Sequence, residues 1–159
     1  MSTRREARER VMQALYAREL AGEKPRHYLY TLIEPEFEND PKTLDFAQSL
    51  FETTVSSERQ IDRYLEKHLK NWDLDRISAI DRALLRMAVC ELLHFEEIPP
   101  KVTIDEAIEV GKRFSTPKTG NFLNGVLDAV LMELYTSGTL NKTGRGRVGL
   151  DAIEERASS

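Results

Sequence analysis

The chain has 159 residues, of which 40 % are hydrophobic and 31 % are charged, as expected for one globular domain with a real core. No apolar run approaches the roughly 20 residues of a membrane-spanning helix, and the Arg-rich start lacks the apolar segment of a secretory signal. The single cysteine, Cys90, excludes an intramolecular disulfide and fits a cytoplasmic location. With a net charge of −4, any binding of nucleic acid requires a local basic patch.

Apolar residues recur at helical spacing along most of the chain, and no alternating run of β-branched residues indicates a strand. The first predicted helix covers about residues 4–20 and opens with a capping-box pattern of Thr3 and Glu6. A second helix is predicted over about 26–33. The acidic residues 34–40 are expected to form a loop.

The middle of the chain carries three further helix signals. Asp40 and Pro41 are typical of an N-cap and a first helical residue. Ser57 and Gln60 suggest another cap, and a link around Trp72 leads to a central helix over about residues 76–95. Because this helix is apolar on most of its circumference, it is predicted to be buried in the middle of the domain.

Two more helices are predicted after Pro99-Pro100, and from Thr136 the helical spacing of apolar residues is lost. Thr103 and Glu106 form a second capping-box pattern, and Thr116-Pro117 is expected to open the last helix. Gly125 inside that helix suggests a close approach of a neighbouring helix. We therefore predict a helical domain over residues 1–137 and a flexible C-terminal tail over 138–159.

Basic residues cluster in the first predicted helix, at positions 4, 5, 8 and 10. Arginine forks and the free N–H groups of a helix start both favour a phosphate. The alternative is a solvated basic face that Glu6 and Glu9 neutralise. The cluster therefore suggests phosphate or RNA binding without being specific for it.

A second candidate region joins aromatic, basic and polar residues. Lys118 and Phe122 share one helical face, with Phe114 nearby, and a basic residue beside an aromatic ring suits an unstacked base and its phosphate. A core role for Phe122 is the alternative. Tyr16 and Asp81 are polar-tipped residues at the edges of apolar stripes, where they could contact a protein partner or be satisfied within the fold.

No pattern in the chain indicates catalysis. The histidines are scattered singly, no Cys or His pair has metal-ligand spacing, and no phosphate loop or nucleophile motif is present, so we expect no cofactor and no metal. Glu91 lies on the central helix among apolar residues and needs a partner, for which Arg82 or Arg86 are neighbours on the chain. A structural ion pair is the expected role.

Several motifs occur together in one order along the chain. They are Arg4-Arg5-x-x-Arg8 with Gln13-Ala-Leu-Tyr16, Asp81-Arg-Ala-Leu-Leu-Arg86, Glu91-Leu92, Ile98-Pro-Pro-Lys-Val-Thr-Ile-Asp-Glu-Ala-Ile108 and Asn121-Phe-Leu-Asn-Gly-Val-Leu-Asp128. In this order they resemble the NusB family of transcription antitermination factors, over about residues 4–135. The resemblance implies an all-α, single-domain bundle of about seven helices in two helical halves.

The resemblance also implies a non-enzymatic role. Family members bind the boxA element of nascent RNA together with NusE, a ribosomal protein, in an antitermination complex with RNA polymerase that acts notably on ribosomal RNA operons. Carried over by position, RNA contact falls to Arg4, Arg5, Arg8, Phe114, Lys118 and Phe122. NusE contact falls to Tyr16, Asp75, Asp81 and Arg82.

The chain departs from the family pattern at two places, and the sequence leaves two alternative functions open. Glu6 and Glu9 interrupt the arginine run, and Lys118 stands where some members carry an acidic residue, which affects the expected base preference. One rival is a positioning module for an RNA methyltransferase, because a related helical domain is fused to such enzymes. The other is a scaffold or a homodimer that hides the RNA surface.

Overall fold

The protein is described here from a computed structural model that covers residues 2–69 and 73–159, so the link around Trp72 lies outside the described residues. All of the regular elements within these ranges are helical, which confirms the predicted all-α fold. The helices are α1 (Arg4–Ala21), α2 (Pro25–Tyr28), a π-helical segment (Leu29–Ile33), α3 (Glu34–Phe37), α4 (Pro41–Ser56), α5 (Glu58–His68), a 3-10 turn (Leu74–Arg76), α6 (Ala79–His94), α7 (Pro100–Phe114), α8 (Thr119–Thr136), a second 3-10 turn (Gly144–Arg147) and α9 (Leu150–Ser158).

Helix α6 is the centre of the bundle, as its apolar circumference predicts. It packs against α1, α4 and α5, which precede it in the chain, and against α7 and α8, which follow it. Buried residues cover all of its sides, from Ala83 and Leu84 to Leu92. Near its C-terminal end, Glu91 bonds Arg8 of α1 and Thr103 of α7. At its N-terminal end, Asp81 bonds Thr119 of α8.

Local capping explains where two of the helices begin. The Thr3 side chain accepts a hydrogen bond from the Glu6 backbone N–H at 3.1 Å, as the capping-box pattern predicts. Asp40 caps α4 by accepting from the Thr43 N–H at 3.3 Å, with Pro41 in the first turn. These caps satisfy backbone donors that have no partner inside a helix.

Several local predictions were wrong. Ser57 precedes α5, but its side chain makes no cap hydrogen bond, and α8 begins at Thr119 instead of at Thr116-Pro117. Residues 34–37 form α3 instead of a loop, because Phe37 is buried and holds that turn against the core. Helix α7 begins at Pro100, and Thr103 lies inside it, where its hydroxyl donates to Glu91 instead of capping. A Cβ added at Gly125 would meet open space, so no neighbouring helix approaches closely there. The close helix approach is at Gly111, where an added Cβ would lie 2.8 Å from the Thr119 methyl group.

The end of the chain differs from the predicted flexible tail. Residues 138–159 carry the second 3-10 turn and α9, and both pack on the bundle. Lys142 is buried and donates from Nζ to the carbonyl oxygens of Glu91 at 3.1 Å and Phe95 at 2.9 Å. On α9, Ile153 is buried and Arg156 pairs with Asp128. These anchors are single residues, so they leave no periodic stripe in the sequence.

Candidate nucleic-acid interface

Arg4 and Arg5 lie exposed in the first turn of α1. The guanidinium carbon of Arg4 is 4.4 Å from the centroid of the Phe46 ring, an arrangement that leaves its N–H groups free at the ring edge. Arg5 donates from Nε to the Glu106 carboxylate at 3.2 Å, and hydrogen bonding to Glu106 raises the pKa of the Arg5 guanidinium. The exposed first turn of α1 therefore presents two permanently charged forks beside the free N–H groups of the helix start.

Arg8 does not share this exposure, which changes its predicted role. It is only 2 % exposed, and its Nε and Nη2 each donate to the Glu91 carboxylate at 2.8 Å. Thr103 donates to the same carboxylate at 3.0 Å, and Glu106 lies 3.6 Å from Arg8 Nη1. Glu91 thus has the structural ion pair that the sequence predicts, but its partner is Arg8 of α1 and neither Arg82 nor Arg86.

Two carboxylate–arginine pairs hold α1 against α7. Arg113 of α7 donates to Glu9 of α1 at 2.6 Å. This pair and the Arg5–Glu106 pair together form the contact line between the two helices that we call the α1–α7 seam. Between Glu106 and Arg113 the helix rises about 10 Å. The pairs keep the start of α1 and the end of α7 on one side of the bundle.

The second predicted cluster lies at the α7–α8 corner. Phe114 ends α7, Lys118 precedes α8 and is exposed, and Phe122 lies in the first turns of α8. Both rings are half-buried and pack against the core, so the core role weighed for Phe122 holds in part. The Arg113 guanidinium carbon lies 5.1 Å from the Phe114 ring centroid, which joins this corner to the α1–α7 seam.

Asp81 ties the start of α6 to the same corner. Its carboxylate accepts from the Ser115 hydroxyl at 2.8 Å and from the Thr119 hydroxyl at 3.0 Å, so the residues between α7 and α8 are held in place. The structure therefore brings a predicted partner residue next to the second RNA cluster. Tyr16 is half-exposed on α1.

The remaining two residues predicted for partner contact differ in their accessibility. Asp75 is exposed in the first 3-10 turn. Arg82 is only 8 % exposed, pairs with Glu19, and donates to the carbonyl oxygens of Leu74 at 2.9 Å and Ile77 at 2.8 Å. Arg82 therefore holds the segment before α6, and Asp75 is the residue of the two that a partner can reach.

Sequence reasoning missed the residues that organise these surfaces. Glu9, Glu106 and Arg113 form the α1–α7 seam, yet each lies about 100 positions from its partner and is an ordinary helical charge in the sequence. Lys142 was placed in a flexible segment, because its Gly-rich basic neighbourhood is typical of one and does not indicate that the side chain is buried. Long-range pairing of this kind leaves no spacing pattern to read.

Other kinds of site find no support in the described part of the chain. No group of three or more His, Cys, Asp or Glu side chains in residues 2–69 and 73–159 is placed to hold a metal ion. Burial raises the pKa of the Cys90 thiol to about 12, so the thiol stays protonated at neutral pH. Within the same residues, no helix is both long enough and apolar enough to cross a membrane.

The fold and its surfaces define an all-helical, single-bundle protein with an exposed arginine-rich helix start. The chain belongs to the NusB family, whose sequence profile matches residues 5–132. Over all 159 residues it is 54 % identical to the transcription antitermination protein NusB of Salinibacter ruber (strain DSM 13855 / M31), covering 100 % of this chain and 99 % of that protein.

Solved structures agree with this assignment. T. maritima NusB matches with a TM-score of 0.77 at 35 % identity, over 83 % of this chain and 92 % of that chain. A chain from the crystal structure of antitermination factors NusB and NusE in complex with dsRNA matches with a TM-score of 0.75 at 29 % identity, over 82 % of this chain and 96 % of that chain.

Proposed function

We propose that this chain is a transcription antitermination factor that binds boxA-type single-stranded RNA together with NusE. In the antitermination complex with RNA polymerase it promotes read-through of terminators, notably on ribosomal RNA operons. The observation that carries the proposal is the exposed Arg4–Arg5 turn, fixed to α7 by the Arg5–Glu106 pair, in a fold that matches a NusB–NusE–RNA complex. The role is a binding role, exercised in the cytoplasm where nascent RNA is made.

Arg4 and Arg5 are the proposed phosphate contacts. Arg4 has no carboxylate partner among the described residues and keeps its charge for a ligand. Arg5 shares its charge with Glu106, so a phosphate must compete with that carboxylate or bind the donors left free. Two such contacts predict binding that weakens as salt rises, because phosphate neutralisation releases counterions.

The α7–α8 corner is the proposed base-contact region. Lys118 is exposed for a phosphate, and the half-buried rings of Phe114 and Phe122 offer a face or edge to an unstacked base. Arg8 supports the Arg4–Arg5 turn from inside, since its pair with Glu91 positions the first turns of α1. We therefore assign Arg8 a positioning role in place of direct RNA contact.

The proposed NusE surface joins Tyr16, Asp75 and Asp81. Asp75 and Tyr16 are accessible, whereas Asp81 has two hydroxyl partners and contacts a protein only through its remaining acceptor capacity. Arg82 supports this surface by holding the 3-10 turn that carries Asp75. A homodimer that covers the RNA surface is the competing arrangement, and it would appear as RNA-sensitive self-association.

The variant Arg4→Ala/Arg5→Ala tests the RNA surface. We expect the salt dependence of RNA affinity, measured by fluorescence anisotropy, to become shallower by about 1.4 in log–log slope, since two phosphate contacts are lost. The matched control is Arg59→Ala/Arg63→Ala, which removes the same charge from exposed positions on α5. An equal loss in both variants, or no loss in either, would contradict the assigned surface.

A further inference from the structure

The second 3-10 turn, Gly144–Arg147, carries two arginines, and we call it the basic turn. It is held rigidly on the bundle. Before it, Asn141 donates to the Glu96 side chain at 2.7 Å and the Thr143 N–H donates to the Glu96 carbonyl at 3.0 Å. Lys142 caps the C-terminal carbonyls of α6, where a cation is favoured by the helix dipole. A Cβ at Gly146 would lie 1.9 Å from the Glu96 carbonyl oxygen, so the turn sits directly on the backbone after α6.

Arg145 and Arg147 lie on either side of the buried Gly146, and both are exposed. No hydrogen bond or ion pair joins their side chains to any residue of the described ranges. Most of the other arginines there are held by a carboxylate, as Arg86 is by Asp62. In a chain of net charge −4, two guanidinium groups without a carboxylate partner on an anchored turn are free to bind an anion.

The basic turn lies at the same end of the bundle as Arg4. The Arg4 guanidinium stacks on Phe46 at 4.4 Å, the Phe46 ring meets the Phe95 ring edge-to-face at 5.8 Å, and the Phe95 carbonyl accepts from Lys142 at 2.9 Å. The Phe46 and Phe95 rings therefore lie between Arg4, the proposed phosphate contact on α1, and Lys142, which anchors the basic turn.

From this placement we propose that Arg145 and Arg147 are additional RNA phosphate contacts that extend the RNA path beyond Arg4 and Arg5. The proposal rests on the RNA binding proposed above and adds a segment outside residues 5–132, the part matched by the family profile. A strand of RNA fits the basic turn better than an acidic protein segment does, because the basic turn continues a surface already assigned to phosphate. The turn is anchored before RNA arrives, so binding costs little ordering.

The experiment compares a boxA-type RNA with the same RNA lengthened at each end. Salt-dependent anisotropy titrations use the unaltered protein, Arg145→Ala/Arg147→Ala and the charge-matched control Arg59→Ala/Arg63→Ala. The control residues are exposed on α5, whose Glu58 pairs with Arg18 in the last turn of α1. We expect the longer RNA to bind the unaltered protein more tightly and with a steeper salt slope.

In the Arg145→Ala/Arg147→Ala protein this gain should disappear, with the slope on the longer RNA shallower by about 1.4 and affinity about tenfold weaker near 0.1 M salt. The control protein should keep the gain. Suppose that the unaltered protein binds RNA and that Arg4→Ala/Arg5→Ala weakens this binding. If Arg145→Ala/Arg147→Ala then behaves like the control, only the present inference is overturned. If Arg145→Ala/Arg147→Ala instead loses affinity for NusE alone, the basic turn is a protein contact and the inference is also overturned. Absence of RNA binding by the unaltered protein overturns both proposals.

Discussion

At the scale of single residues, accessibility separates the arginines of α1 into two functions. Arg4 and Arg5 are exposed, whereas Arg8 is buried against Glu91 in a cluster that Thr103 completes. Every buried side-chain nitrogen or oxygen of the described residues has a hydrogen-bond partner, so this polar cluster is fully satisfied. Such a cluster is sensitive to loss of one member, because the charge left behind stays buried.

The variant Arg8→Ala is therefore expected to act mainly on stability. Removing the guanidinium leaves the Glu91 carboxylate buried without its cation, which should lower the free energy of unfolding by about 3–5 kcal/mol. Chemical denaturation measures this loss. The double variant Arg8→Met/Glu91→Leu buries no charge and should recover most of the stability. A stable Arg8→Ala protein with weakened RNA binding would return Arg8 to the set of direct contacts.

At the scale of elements, the C-terminal segment is a docked part of the bundle whose position depends on one glycine. Gly146 lies against the Glu96 carbonyl, and the contact involves backbone that cannot move aside without disturbing the end of α6. Lys142 and Asn141 make their hydrogen bonds only when the turn is seated. The segment should therefore dock or release as a unit.

The variant Gly146→Ala tests this unit. The added methyl group should force the basic turn off α6, cost about 1–3 kcal/mol as overpacking does, and remove hydrogen-exchange protection from residues 141–158 while α6 stays protected. Gly125→Ala is the matched control, because its Cβ meets nothing within 4 Å and alanine is the better helix former by about 1 kcal/mol. Unchanged protection in Gly146→Ala would show that the turn is not held by this contact.

How far the sequence predicts an element depends on whether the cause is local. The caps at Thr3 and Asp40 were predicted because their partners are three residues away. Thr103 was misassigned because its hydroxyl bonds Glu91 on another helix, and Gly125 was misread because only the fold shows that Gly111 makes the tight contact. For the site, residue types located the arginine turn, but the pairing of Arg8 with Glu91, 83 positions away, decided which arginine is buried.

At the scale of the whole molecule, an acidic protein binds an anion through charges that are left unpaired in one place. Most carboxylates near the start of α1 are used in the seam with α7 or in the buried cluster, as Glu9, Glu91 and Glu106 show. Arg4, part of the charge of Arg5, and the two arginines of the basic turn stay exposed at that end, together with Lys42 and the carboxylates of Glu6, Glu96 and Glu97. In a chain of net charge −4, these arginines supply the cations for an anionic ligand.

The most direct test of the antitermination function is the anisotropy of a labelled boxA-type RNA and a scrambled RNA, each single-stranded and at fixed salt, titrated with this protein in the presence and absence of NusE. We expect tighter binding to the boxA-type RNA, with a further gain when NusE is added. Equal, weak binding to both RNAs with no effect of NusE would contradict it, and the bundle would then share the family's fold without its RNA recognition.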